Sequence, residues 1–232
     1  VTRPRALDLF CGAGGAAMGL YRAGFDIVGI DNRKQPRYPF PFIRADALRP
    51  PVRLEDFDLV WASPPCQHAS LAAGRNSRTS RARAPNLIPR TRELLQKSGH
   101  LHVIENVPQA KLVSPVTLDG TMFPMRHRRT ERRRIFESNF FILAPPVGRR
   151  FGPCTHPEAV TVAGHPGTTF SRYYRKDSGK SGGYRGRAGT KDEWAVALDI
   201  DWMSGLELAQ AIPPAYAEHI GRYAMMALGR DQ

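Results

Sequence analysis

Cys66 stands in Pro64-Pro65-Cys66-Gln67, directly after the apolar run Phe57-Asp58-Leu59-Val60-Trp61-Ala62-Ser63. That run reads as a buried parallel strand, so the thiol falls on the loop at a strand's carboxyl end, where open α/β sheets bind their ligands. Two prolines remove two backbone donors and stiffen the turn, which presents the thiol at a fixed angle. A thiol so placed is a candidate nucleophile, although an isolated cysteine can equally fill a loop as a small apolar residue. Glu105 follows the buried strand Leu101-His102-Val103-Ile104 and precedes Asn106-Val107-Pro108. A carboxyl group there is a candidate acid or hydrogen-bond donor, the alternative being an ion pair with one of the arginines. Arg132-Arg133-Arg134 leads into Ile135-Phe136 and an apolar strand expected to continue through Phe140, Phe141, Ile142 and Leu143. Read as a charge run alone, the arginines are a solvated edge.

The elements that must position these residues begin with Leu7-Asp8-Leu9-Phe10, a short apolar strand running into Cys11-Gly12-Ala13-Gly14-Gly15 and a helix from about Ala16. Strand, glycine turn and helix make a cradle for a nucleotide-type cofactor, because glycine admits close backbone approach and a helix start offers free N–H groups. The next strand, Phe25 to Ile30, ends in Asp31, whose carboxylate can accept hydrogen bonds from both ribose hydroxyls. Asp46 follows another short strand and could hold an adenine amino group.

These pieces resemble the C5-cytosine methyltransferase family over most of the chain and in the same order: DLFCGAGG, SPPCQ, ENV, RRR, and a closing segment Ala211-Ile212-Pro213-Pro214-Ala215-Tyr216. The resemblance implies an α/β fold, a mostly parallel, doubly wound, Rossmann-like class I methyltransferase sheet with a small inserted recognition region. It implies S-adenosylmethionine as cofactor and S-adenosylhomocysteine as product. Catalytic roles pass to Cys66, Glu105, Arg132 and Arg134, with Arg132 bracing the cysteine loop. Cofactor contacts pass to Phe10, Cys11, Gly12, Ala13, Gly14, Gly15, Asp31, Asn32, Asp46, Ala47 and Pro65. The implied activity is that of a DNA cytosine C5-methyltransferase of the restriction-modification kind, working through a covalent Cys66–C6 intermediate. Its substrate would be double-stranded DNA with the target cytosine flipped out, since ring stacking blocks perpendicular attack within a duplex. An RNA cytosine methyltransferase, a free-nucleotide C5-modifying enzyme and a non-catalytic DNA-binding relative are the alternatives. A nicotinamide dehydrogenase could use the glycine turn and Asp31 but has no need of PPCQ or ENV.

The chain departs from the family pattern in three places. Thr130 stands where the arginine motif usually begins with glutamine, Ala209-Gln210-Ala211 replaces the usual Gly-Asn-Ser, and the recognition region is very short, which implies short or relaxed specificity.

The expected organisation is a catalytic domain of residues 1–143 and 201–232, with a return helix near residues 206–228, around a recognition region of residues 144–200. The insert shows little helical periodicity and interleaves aromatics with cations, in Phe170-Ser171-Arg172-Tyr173-Tyr174-Arg175-Lys176 and in Gly183-Tyr184-Arg185-Gly186-Arg187. Over 232 residues, 41% hydrophobic content supplies a core, and a formal net charge of +13 favours a polyanionic partner. Arg75, Arg78, Arg81 and Arg83 lie among small polar residues after Cys66, a cationic stretch suited to a phosphate backbone. No apolar run approaches a membrane span and no signal-peptide pattern opens the chain, so a cytoplasmic protein is expected; with the family resemblance goes the expectation of a monomer in a bacterial or virus-infected cell. Cys11, Cys66 and Cys154 form no disulfide framework, and Cys154, His156 and His165 lack the paired spacing of a metal site, so no metal is expected.

Overall fold

The computed structural model describes residues 2–69, 84–123, 132–147, 162 and 189–230 in full, and the backbone alone for 169–175 and 181–187. Contacts divide the chain into two units: residues 1–118, 133–145 and 211–232, and residues 119–132 with 146–210. The strands are β1 (Arg5–Leu9), β2 (Asp26–Asp31), β3 (Phe42–Arg44), β4 (Leu59–Ala62), β5 (Leu101–Asn106), β6 (Val116–Leu118), β7 (Arg134–Ser138), β8 (Thr169–Arg175) and β9 (Ser181–Arg187). The helices are α1 (Gly15–Arg22), α2 (Ile88–Ser98), α3 (Lys191–Leu198), α4 (Gly205–Gln210) and α5 (Pro214–Ala227).

The first unit is built on one seven-stranded sheet in the order β3-β2-β1-β4-β5-β7-β6. Pairings from β3 to β5 are parallel, and β7 runs antiparallel to both β5 and β6. The expected mostly parallel α/β class is therefore what the chain adopts. Parallel strands buried on both faces read as continuous apolar runs, as β4 does with Leu59, Val60, Trp61 and Ala62 all buried. Leu7, Leu9, Ile30, Val60, Ala62 and Ile104 share one core cluster with Leu54, Phe57 and Leu95.

The chain moves outward from β1 to β2 and β3, then crosses back to place β4 on the other side of β1. The order reverses between β1 and β4, and open α/β sheets bind ligands at that reversal, beyond the strands' carboxyl ends. Ser63 donates its backbone N–H to the Leu9 carbonyl at 3.1 Å, so the glycine turn and the cysteine loop part company at this point.

Two expectations of element length are corrected. The strand begun at Ile135 stops at Ser138, and Phe141 and Leu143 are exposed, because Ser138 turns its hydroxyl to the Phe140 carbonyl at 2.7 Å. The single return helix is two helices, α4 and α5, interrupted where Pro213 and Pro214 cannot continue one and instead start the other.

In the second unit β8 and β9 pair antiparallel as a two-stranded ribbon, with Arg172 opposite Tyr184 and Phe170 opposite Gly186. The same unit holds α3, a helix in the stretch read as lacking helical periodicity. Its start was legible: Thr190 Oγ1 accepts from Glu193 N at 3.2 Å while a Glu193 carboxylate oxygen accepts from Thr190 N at 2.7 Å, a reciprocal capping box.

Candidate functional site

The described catalytic candidates other than Arg132 lie in the first unit, Cys66 beyond β4, Glu105 at the carboxyl end of β5 and Arg134 at the start of β7, while β1, β2 and β3 lead into cofactor candidates. β4 delivers the cysteine loop. Trp61, fully buried, donates its indole N–H to the Ser63 hydroxyl at 2.9 Å and packs its ring 5.7 Å from that of Phe136, which fixes where the strand ends. Pro64 is buried, Pro65 is exposed and Cys66 is half-buried. Asn106, 1% exposed at the end of neighbouring β5, donates its side-chain amide to the Pro64 carbonyl at 2.9 Å and accepts from Val107 N at 3.0 Å. One amide thus ties the ENV segment to the PPC segment. Its side chain carried no assigned role in the sequence, although a polar residue inside a buried strand was the available signal.

Glu105 sits beside it on β5, 6% exposed, opposite Phe136 of β7. Arg134 is two residues from Phe136, the diagonal cross-strand neighbour on the same face, and its Nε lies 3.1 Å from Glu105 Oε1. The structure therefore brings Glu105 and Arg134 together. Glu137, further along β7, shows what a purely structural carboxylate looks like here. Arg92 grips both its oxygens at 2.6 and 2.8 Å and Val113 N supplies a third bond at 2.7 Å. Burial pushes the Glu137 carboxyl up, but these bonds outweigh it and hold the group below the ordinary range. Arg132, by contrast, donates to the carbonyls of Val162 at 3.0 Å and Ala209 at 2.7 Å, both in the second unit.

Two described cysteines divide the possible thiol chemistry. Cys11 is buried, and burial first, with the neighbouring charges of Asp8 and Asp31, pushes its thiol far above the ordinary range. It stays protonated and unreactive. Cys66 is the partly accessible one. Cys154, His156, His165, Thr130 and the arginines of residues 75–83 lie outside the described residues. Among the described residues no group of three or more His, Cys, Asp or Glu side chains could hold a metal ion.

The glycine turn follows β1. Phe10 takes φ 58°, an uncommon conformation for a residue with a side chain, and Gly12 and Gly14 follow at φ 49° and 88°. Cys11 N bonds to the Ile30 carbonyl at 3.1 Å and Gly14 N to that of Cys11 at 3.0 Å, so the turn is anchored on β2 and closed on itself. No side chain caps the start of α1 behind Gly14, which leaves N–H groups of the first turn for a ligand. Asp31 accepts from Gly12 N at 3.1 Å through Oδ2 and from Arg33 N at 2.9 Å through Oδ1, with lone pairs still to spare. Asp46 is exposed and accepts from Leu48 N at 2.9 Å through Oδ1, beside buried Ala47. Asn32 is exposed, its carbonyl accepting from Arg44 Nε at 3.2 Å. Gly15 faces elsewhere: its missing Cβ makes room for the Ile212 backbone, which seats the closing segment against the helix start.

These residues fit a nucleoside-type cofactor. A Cβ built on Gly12 would meet nothing within 4 Å, so there is open space over the turn. Below it lies Asp8, 1% exposed, whose Oδ1 has no hydrogen-bond partner among the described residues. Asp8 was not among the candidates read from the sequence, because an acid inside a short apolar strand gives no local sign of which way it points.

Residues 5–115 match the family model for C-5 cytosine-specific DNA methylase. The chain is 28% identical over 120 residues to the type II methyltransferase M.HgiDI of Herpetosiphon aurantiacus, an alignment covering 47% of this chain and 38% of that protein. It is 35% identical over 92 residues to the type II methyltransferase M.XorII of Xanthomonas oryzae pv. oryzae, covering 32% of this chain and 22% of that protein. The chain thus spans well under half the length of these curated relatives. Its fold matches a mutant of Spodoptera frugiperda DNMT2 with a TM-score of 0.53 at 11% identity, over 96% of this chain and 99% of that one.

Proposed function

We propose that this chain, whose residues 5–115 match the family model for C-5 cytosine-specific DNA methylase, is a C5-cytosine methyltransferase that methylates DNA through covalent addition of Cys66. The carrying observation is the arrangement at the ends of β4, β5 and β7. A half-buried cysteine stands on a rigid proline loop, that loop is tied by Asn106 to the strand bearing Glu105, and Arg134 lies 3.1 Å from the Glu105 carboxyl.

Cytosine C5 is too weak a nucleophile to be methylated directly. Addition of the Cys66 thiolate to C6 forms a C6–S bond and pushes electron density toward N3 and O2. N3 then takes a proton from Glu105, and the Arg134 guanidinium stabilises the carboxylate left behind and the charge growing at O2. The ring has become an enamine, nucleophilic at C5. S-Adenosylmethionine, the family's cofactor, supplies the sulfonium methyl when bound. Asp31, Asp46, Phe10 and the turn of residues 11–15 would hold it, with Asp31 on the ribose and Asp46 on the adenine amine. Loss of the C5 proton to a base, return of the N3 proton to Glu105 and rupture of the C6–S bond release Cys66 and restore the aromatic ring. Arg172, Arg175, Arg185 and Arg187 of the β8–β9 ribbon, with residues 72–85, are the cations we assign to gripping the polymer.

The test is a DNA duplex containing 5-fluorocytosine, incubated with the protein and S-adenosylmethionine beside an equivalent RNA. Fluorine blocks the final elimination, so the DNA should trap the protein covalently, and the trapped peptide should contain Cys66. A cross-link through Cys11 or Cys154 defeats the mechanism. Trapping by RNA alone reassigns the substrate.

A further inference from the structure

Parallel neighbours in a sheet need a crossover of about a dozen residues or more, usually a helix that also covers the sheet face. β2 and β3 are parallel neighbours, yet residues 32–41 join them without a helix. The cover comes instead from aromatic rings. Tyr38 packs 5.9 Å from both Phe40 and Phe42, and Phe40 lies 5.2 Å from Tyr21. Pro36, Pro39 and Pro41 stiffen the segment, which is pinned at both ends. Tyr38 N bonds to the Gln35 carbonyl at 3.1 Å, and Gly29 N to that of Pro41 at 2.9 Å.

Tyr38 reaches the cofactor turn from this wall by two routes. Its ring occupies the space a side chain at Gly29 would need, and a Cβ on Gly14 would lie 3.0 Å from Tyr38 Cδ2 and 2.9 Å from Pro39 Cδ. Gly29 pairs with Asp8 across β1 and β2, and the Tyr38 hydroxyl lies 3.5 Å from Asp8 Oδ2. The same ring thus bears on the first residue before α1 and on the buried acid beneath the turn.

We infer that Tyr38 is a positioning residue for the cofactor site: wedged between Gly14, Gly29 and Asp8, it holds the turn of residues 11–15 in its ligand-ready form. The inference rests on the proposed function for the identity of the ligand, but Tyr38's hold on the turn is a property of the ligand-free chain. Removing the ring should free the turn and make the ligand reorder it, a cost that appears as lost affinity.

Two measurements on the whole chain decide this. Tyr38→Ala should weaken S-adenosylhomocysteine binding by about tenfold or more in calorimetry, while Tyr38→Phe, which keeps the wedge, should stay within about threefold of the parent. In the ligand-free proteins, amide hydrogen exchange of residues 12–15 should accelerate in Tyr38→Ala and be restored in Tyr38→Phe, with β5 amides unchanged. Should Tyr38→Ala fail to fold, Tyr38→Leu takes its place with the same expectations. Uniform acceleration across the sheet, or unchanged exchange in the turn, overturns the inference and leaves Tyr38 as core packing. Unchanged affinity in Tyr38→Ala overturns it too. A parent protein that binds no S-adenosylhomocysteine defeats the proposed function instead, and the exchange data still decide whether Tyr38 holds the turn.

Discussion

Asn106→Asp changes one atom of a buried side chain and tests whether the cysteine loop is held from β5. The native amide donates to the Pro64 carbonyl at 2.9 Å and accepts from Val107 N at 3.0 Å. An aspartate keeps the second bond and turns the first into two oxygens facing each other. Pro64 is buried and Asn106 only 1% exposed, so water cannot repair the loss. An unsatisfied buried acceptor costs about 1–3 kcal/mol, and burying the new carboxylate adds to it, so a loss of about 2–4 kcal/mol at neutral pH is expected. The cost has a signature. A protonated aspartic acid can donate to the Pro64 carbonyl, so its folded pKa must rise above the unfolded value. A group with a raised folded pKa contributes stability that is present below the unfolded pKa, near 3.9, and lost as pH rises through the folded value. The gap between variant and parent, read from urea midpoints, should therefore be widest at pH 7–8 and narrow toward pH 4 if the parent still folds there. If Cys66 is the nucleophile, as proposed, transfer per folded molecule should fall by about a hundredfold at neutral pH, the scale of a misplaced reacting group. A variant with the parent's midpoint and turnover at pH 7.5 would refute the reasoning and make the bond incidental.

If Glu105 is the acid that protonates N3, as proposed, Glu105→Gln should leave the fold intact and lower the transfer rate by about a hundredfold or more in a single turnover on DNA, because the amide cannot deliver that proton. Arg92→Leu should cost about 3–5 kcal/mol in urea unfolding at neutral pH, since it strands buried Glu137. Glu137's folded pKa is held low, so the pair stabilises the parent above the unfolded carboxylate pKa and less as pH falls through the folded one; the difference should shrink on acidification. Gly19→Ala should destabilise by about 1–3 kcal/mol despite a gain of about 1 kcal/mol in helix propensity, because its Cβ would lie 2.7 Å from Glu218 N and 2.8 Å from Ala217 Cβ of α5; an unchanged melting temperature would show that the helices can part. If the ribbon grips phosphates, neutralising Arg172, Arg175, Arg185 and Arg187 together should weaken binding to all DNA sequences alike and flatten its salt dependence, whereas a change in which cytosines are modified would mean that they read bases.

Read alone, the sequence placed Cys66, Glu105, Asp31 and the glycine turn at the carboxyl ends of strands, because buried parallel strands are short unbroken apolar runs and the residues ending them are local in the chain. It also carried the start of α3 in Thr190 and Glu193, a signal outweighed there by the glycines and arginines around it. Side-chain partners were another matter. Asn106 meets Pro64 across 42 residues and Arg132 meets Ala209 across 77. Apolar residues 140–143 read as strand, yet only Ile142 is buried in that run while Phe141 is exposed, since no neighbouring strand pairs with them. Tyr38 had nothing in its surroundings to mark it. Its position matters because Gly14, Gly29 and Asp8 converge on it from three separate elements, and strand order, set by how apolar faces pack, brings those elements together. Periodicity and turn residues determine which elements form and where they end. Which buried polar group faces which is decided only when the sheet closes and each donor must find an acceptor away from water.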